Sequence, residues 1–229
     1  MWEELKAYHQ LDKKDIPKTF KTFGKIVADG LSSYGFSATG TTSTVKIFKE
    51  INNLEFSIFL LRQKGGYNFD VKTSIKPVHF IHSHKFTMTN IKPLGEILDN
   101  HRCNSFPLTK EYDMLAEYLI KNIKTKVQNY FDQYDTWQKI MKNRKRIEPK
   151  DFGLDNKYDL LIYASIWMKE RRKLIKYIDK KLEQPARSIT QSEYLKASIE
   201  EVNEIEFYAE IKELAKKSDF IKIQGIITN

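Results

Sequence analysis

Residues 45–75 read VKIFKEINNLEFSIFLLRQKGGYNFDVKTSI, and this stretch decides the fold. Three runs rich in β-branched and aromatic residues are separated by Asn52-Asn53 and by Gly65-Gly66. Asparagine tolerates positive φ and glycine has no Cβ, so both pairs suit tight reversals. Val45 to Ile51 predicts one strand and Leu54 to Gln63 a second. In the second, Leu54, Phe56, Ile58 and Leu60 form one face, while Phe59 and Leu61 make the other face apolar too. A strand apolar on both sides is central and covered twice. Tyr67 to Ile75 alternates, with Tyr67, Phe69, Val71, Thr73 and Ile75 inward and Asn68, Asp70, Lys72 and Ser74 outward to water. Val78 to Ile81, after Pro77, offers a fourth strand. The expectation is an antiparallel meander.

Upstream, Pro17 suits the first turn of a helix, where its missing N–H costs nothing. Phe20, Phe23, Val27, Leu31 and Tyr34 follow at helical spacing, and Gly35 stands where a left-handed cap is expected, predicting a helix over 17–34. Residues 1–15 read as a short helix or an arm, and the Ser- and Thr-rich 37–44 as a loop. Downstream, a loop around Pro93, Gly95 and Pro107 precedes a helix over 109–133, with Thr109 as its N-cap and Leu115, Leu119, Ile123, Val127 and Phe131 as its stripe. Asp135-Thr136 opens a shorter helix carrying Trp137, Ile140 and Met141.

Pro149 and Gly153 interrupt this pattern and divide the chain into an α+β domain, 1–148, and a C-terminal helical extension, 149–229, packed on it. Helices over 156–182 and 190–216, with Pro185 between them, predict an antiparallel hairpin. The first is apolar along two seams and so is sandwiched, at least through its first half. Phe220 to Ile227 is an apolar tail suited to an edge strand or to docking on the core. The fold class expected is α+β: an antiparallel meander of three to five strands packed by helices, with a C-terminal α-helical hairpin.

The single cysteine, Cys103, excludes an internal disulfide and points to a reducing compartment, the cytoplasm. The start, Met-Trp-Glu-Glu-Leu-Lys, has no apolar stretch behind a basic one, and no apolar run approaches a membrane span, so no membrane partner is expected. Charge is uneven. Residues 139–181 hold fourteen basic and six acidic side chains, a net +8, against +9 for the whole chain, and residues 182–229 carry −3. A Lys-, Ile- and Asn-rich vocabulary inflates the lysine count by itself and discounts this argument.

The helix ending Tyr34-Gly35-Phe36, the Thr-rich loop, two strands, Leu61-Arg62-Gln63-Lys64 and a Phe-containing strand resemble a group of uncharacterised bacterial α+β domains of unknown function. Tyr112 to Phe131, with Asn-Tyr-Phe-Asp-Gln-Tyr-Asp over 129–135, is similar to that group's C-terminal helix. The resemblance spans residues 16–142 and leaves the C-terminal third unmatched. It implies no established chemistry; some relatives look like companions of toxin systems, which implies immunity-type binding.

Five constellations invite chemistry. His79, His82 and His84 lie within six residues, and imidazoles are good metal ligands, with Asp70, Glu96 or Asp99 as candidates to complete a site. The segment lacks a helical HExxH pattern and paired cysteines, so histidines without a metal are favoured. Asp70-Val71-Lys72 resembles the acidic-x-Lys element of metal-dependent nucleases, with Glu55 as the second carboxylate. The alternating strand puts Asp70 and Lys72 on its polar side anyway, which favours a solvated strand. Arg144, Lys145 and Arg146, with Lys142, and Arg171, Arg172 and Lys173, with Lys169 and Lys176, suit phosphates or an acidic protein. In a helix the second set rings the axis more than it lines one face. Cys103 beside His101 lacks a nucleophile-elbow pattern. Gly65-Gly66 lacks phosphate-loop spacing and precedes a strand. No cofactor is implied. The expectation is a non-enzymatic protein-binding module, its partner another protein, an acidic one among the candidates; the alternative is a nucleic-acid binder or metal-dependent nuclease.

Overall fold

The computed structural model describes residues 11–78, 91–99, 104–152, 156–183 and 191–228. It is an α+β protein. Helix α1 (Ile16–Leu31) ends in a 3-10 turn, Ser32–Tyr34, that Gly35 closes at φ 79°. Strands β1 (Ser37–Gly40), β2 (Thr44–Ile51), β3 (Leu54–Arg62) and β4 (Asn68–Pro77) follow in antiparallel order. Asn52 and Asn53 both take positive φ, as the tight β2–β3 reversal requires. Two short strands, β5 (Lys92–Pro93) and β6 (Ser105–Pro107), both pair with β4, with the short helix α2 (Leu94–Ile97) between them.

Several expectations change. Residues 37–40 are a strand and not a loop, pairing Ser37 with Phe48 and Gly40 with Val45. All four are exposed, so backbone pairing holds the edge without apolar side chains. Pro77 ends β4 instead of opening a new strand, and residues 79–81 lie outside the described residues. The loop around Pro93 and Pro107 supplies strands as well.

One face of the sheet holds the core. Val45, Ile47, Phe56, Ile58, Leu60, Phe69, Val71 and Ile75 are buried there under α1 and the helix after β6. Phe69 is the hub, its ring centroid 5.7 Å from Phe20, 5.0 Å from Phe23 and 5.7 Å from Phe106. Close approach is needed. A Cβ on Gly24 would lie 2.5 Å from a Val45 methyl, and one on Gly30 would strike Ile120. Glycine at these two points lets α1 lie on β2 and against its neighbouring helix.

That neighbour is α3 (Tyr112–Asn122), continued through a π-helical turn, Ile123–Val127, into α4 (Gln128–Phe131). The π turn follows from the sequence. Leu115, Leu119, Ile123, Val127 and Phe131 repeat every fourth residue. In a straight α-helix such a stripe drifts by roughly 40° per step, or about 160° from end to end. Inserting wider turns cancels much of the drift, and all five side chains are buried. Phe131 thereby meets Phe56, with centroids 5.2 Å apart. Thr109 is not the N-cap: the helix starts at Tyr112.

Helix α5 (Trp137–Asn143) is capped by Thr136, whose hydroxyl accepts from the Lys139 N–H. A 3-10 turn, Pro149–Phe152, then leads to α6 (Lys157–Trp167), α7 (Arg171–Leu182), α8 (Gln191–Lys216) and α9 (Phe220–Thr228). The core is continuous across 149: Phe152 is fully buried, edge-on to Tyr134 at 5.4 Å. The helix expected over 156–182 is two, broken at Lys169, which takes φ 55°. Residues 159–166 of α6 are all buried, as two apolar seams require. The apolar tail is a helix docked through Phe220, Ile223 and Ile227, not an edge strand.

Candidate functional site

The second face of the sheet is where the nuclease-like residues fall, and it is drier than alternation suggests. Ser57 and Ser74, opposite one another in the β3–β4 ladder, have no exposed area, and Phe59 and Glu55 are buried beside them. The Ser74 hydroxyl has no hydrogen-bond partner among the described residues. Glu55 sits between two lysines: Lys46 Nζ at 2.7 Å and Lys76 Nζ at 3.5 Å, with the Ser57 hydroxyl donating at 2.7 Å. Burial pushes its carboxyl up, but the bonds from Lys46 and Ser57 and the charge of Lys76 outweigh burial, so its pKa falls below the usual value.

Asp70 is on the same face and far from this cluster. Glu55 pairs in register with Lys76, and Asp70 with Leu61, six positions along β4. At strand rise that is about 20 Å, whereas two-metal sites place their ions about 4 Å apart. Asp70 instead accepts from Gln63 Nε2 at 2.9 Å, and that amide also reaches Ser105 Oγ on β6. Lys72, half-buried, stands between Phe59 and Pro93 in the ladder. The acidic-x-Lys element is therefore a strand-end brace, and Glu55 belongs to a separate ion cluster. His79, His82 and His84, and His101 with Cys103, lie outside the described residues. Among the described residues no group of three His, Cys, Asp or Glu side chains is placed to hold a metal ion.

The basic segments fare differently. Arg144, Lys145 and Arg146 are exposed where α5 ends, with Arg144 Nη1 anchored on the Met141 carbonyl at 3.0 Å. The Tyr177 hydroxyl of α7 lies 3.7 Å from Met141 Sδ, which brings the end of α5 against α7. On α7 the charges do not ring the axis. Lys173 is held by Glu170 of the preceding turn at 2.6 Å. Lys181 turns inward to Asp159 at 3.1 Å and Glu204 at 3.2 Å, and Asp179 is neutralised by Lys212. What remains outward is Arg172, Lys176 and Lys180, spaced by four residues on one exposed stripe, with Arg171 beside them. Open grooves of about 680 and 340 Å³ run along this side, lined by Arg172, Ile175 and Lys176 among others.

Arg171 and Arg172 also occupy the first turn of α7, where the helix dipole disfavours cations, next to the N-cap Glu170, whose carboxylate is held by Lys173. Lys180 was missed in the sequence, although its four-residue spacing from Lys176 was readable.

A second feature was also missed. Asp159, in the first turn of α6, is almost completely buried, with the fully buried Tyr208 hydroxyl donating to it at 2.7 Å. With Lys181 and Glu204 this ties α6, α7 and α8 together. Burial, then the Asp159 charge, hold the Tyr208 phenol well above its usual pKa. Asp-x4-Ala-x-Ile carries no sequence signal for such a group.

No family model, curated protein or solved structure matches this chain. No helix among the described residues is long and apolar enough to cross a membrane.

Proposed function

We propose that the protein is a non-enzymatic protein-binding module that holds an acidic partner on the outward face of α7. The observation that carries this reading is the stripe of Arg172, Lys176 and Lys180, exposed and without ion-pair partners among the described residues, in a helix where Lys173, Asp179 and Lys181 are all paired. Paired surface charges contribute little, but unpaired like charges at four-residue spacing repel one another and favour an anionic complement. The exposed Arg144, Lys145 and Arg146 add further cations at the end of α5, which packs on α7 through Met141 and Tyr177. Immunity-type pairing with an acidic protein is the form that the resemblance to toxin-companion domains implies.

An acidic protein fits better than nucleic acid. Glu170 and Asp179 border the stripe but are held by Lys173 and Lys212, which leaves the exposed Glu183 and the half-buried Ile175 beside the cations. A uniform row of phosphates meets Glu183 unfavourably and offers nothing apolar to Ile175, whereas a protein surface can set a basic group against one and an apolar group against the other.

A photo-reactive residue at Lys176, in cells where the chain is native, tests the reading, with the same probe at Lys18 on α1 as the control. Crosslinking to an acidic protein from position 176 alone, abolished by Lys180→Glu, is the expected result. Equal crosslinking from both positions, or crosslinking from 176 to nucleic acid, contradicts it.

A further inference from the structure

The α7 stripe has a geometry as well as a sign, and it constrains what can lie on it. Resting on the acidic-partner reading above, we infer that the partner presents an α-helix with carboxylates at every fourth position, lying along α7. Arg172, Lys176 and Lys180 share one face of α7 and stand about 6 Å apart along its axis. An extended strand advances roughly 6.6 Å for each pair of residues on one face, but its backbone groups then need a sheet edge, and α7 offers none. A helix satisfies its own backbone and repeats its carboxylates at the same rise as the cations.

The neighbours of the stripe sharpen the match. Ile175 is half-buried between Arg172 and Lys176 and lines both grooves, so it can receive one apolar side chain of the docked helix. Glu183 is exposed past Lys180, at the C-terminal end of the stripe. A docked helix that ends in a basic residue there meets Glu183, whereas one with a fourth carboxylate meets repulsion. This gives the complex a direction: acidic positions over Arg172 to Lys180 and a cation over Glu183. Arg171 lies beside the stripe at the start of α7, where it favours a carboxylate and thus strengthens the same polarity.

The test uses the full chain and three probes. Two synthetic helical peptides share length and composition; one has glutamates at every fourth position with a terminal lysine, and the other has them scattered round the helix. The third probe is a single-stranded oligonucleotide of equal charge. Titration followed by fluorescence anisotropy should show the striped peptide binding about tenfold tighter than the scattered one, the sum of a few exposed ion pairs. Arg172→Glu with Lys176→Glu and Lys180→Glu should remove that difference, while circular dichroism confirms an intact fold. Glu183→Lys should weaken the striped peptide and leave the scattered one unchanged. Equal binding of both peptides, still lost on the triple reversal, overturns the helical geometry and leaves the acidic-partner reading standing. Binding of the oligonucleotide with neither peptide overturns both.

Discussion

The Tyr208 hydroxyl donates a 2.7 Å hydrogen bond to Asp159, joining the middle of α8 to the first turn of α6 with both side chains enclosed. A buried carboxylate survives only when its charge is met, and here Tyr208 and Lys181 meet it together. Tyr208→Phe leaves Asp159 with one fewer donor and is expected to destabilise the fold by about 1–3 kcal/mol in urea unfolding. Asp159→Ala, which strands Lys181 near Glu204 alone, is expected to cost about 3–5 kcal/mol. A Tyr208→Phe variant as stable as the parent chain would mean the bond contributes nothing.

The same phenol makes a prediction in alkali. Its folded pKa lies above that of an unfolded tyrosine, about 10. Its contribution is therefore complete below about pH 10 and is lost as pH rises from there through the folded value. Unfolding free energy followed upward from pH 9 should fall more steeply in the parent chain than in Tyr208→Phe. Parallel curves would remove the linkage.

Glu55 predicts the opposite limb. Its carboxyl is held below the ordinary value by Lys46, Ser57 and Lys76 against the effect of burial. The stability it adds is present above the unfolded pKa, about 4.3, and disappears as pH falls through the folded one. Glu55→Gln should lower stability at neutral pH by roughly 1–3 kcal/mol and flatten the acid limb below pH 5. An unchanged acid limb would show that the Lys46–Glu55–Lys76 cluster is not coupled to folding.

Gly24 tests the packing of α1 on the sheet. Alanine raises helix propensity by about 1 kcal/mol, but its methyl would meet Val45 at 2.5 Å, and overpacking typically costs about 1–3 kcal/mol. Gly24→Ala should therefore destabilise, and Val45→Ala in the same chain should recover part of the loss. A stabilised Gly24→Ala would show that α1 stands further from β2.

Where the sequence was legible, one strong local rule sufficed. Alternation and Asn52-Asn53 mark out β2 to β4, because most inward residues are apolar and each reversal has a residue that accepts positive φ. β1 was not legible because an exposed edge strand needs nothing of its side chains. The break at Lys169 was hidden because a lysine, not a glycine, takes the left-handed turn. For the candidate site, the cations were visible but their partners were not. Lys173 and Lys181 look like Lys176 in sequence, and only the structure shows Lys173 paired with Glu170 at the surface and Lys181 drawn inward to Asp159 and Glu204. Ser74 misled in the other direction: a small polar residue on an outward face reads as wet, and it is fully enclosed.

The stripe on α7 is the claim to test first, by measuring retention of the full chain on immobilised polyglutamate and on DNA of matched charge density over a salt gradient. Retention on polyglutamate that exceeds retention on DNA, and that Arg172→Glu with Lys176→Glu and Lys180→Glu abolishes, is the outcome predicted. Stronger retention on DNA, or polyglutamate binding untouched by those three reversals, would contradict it.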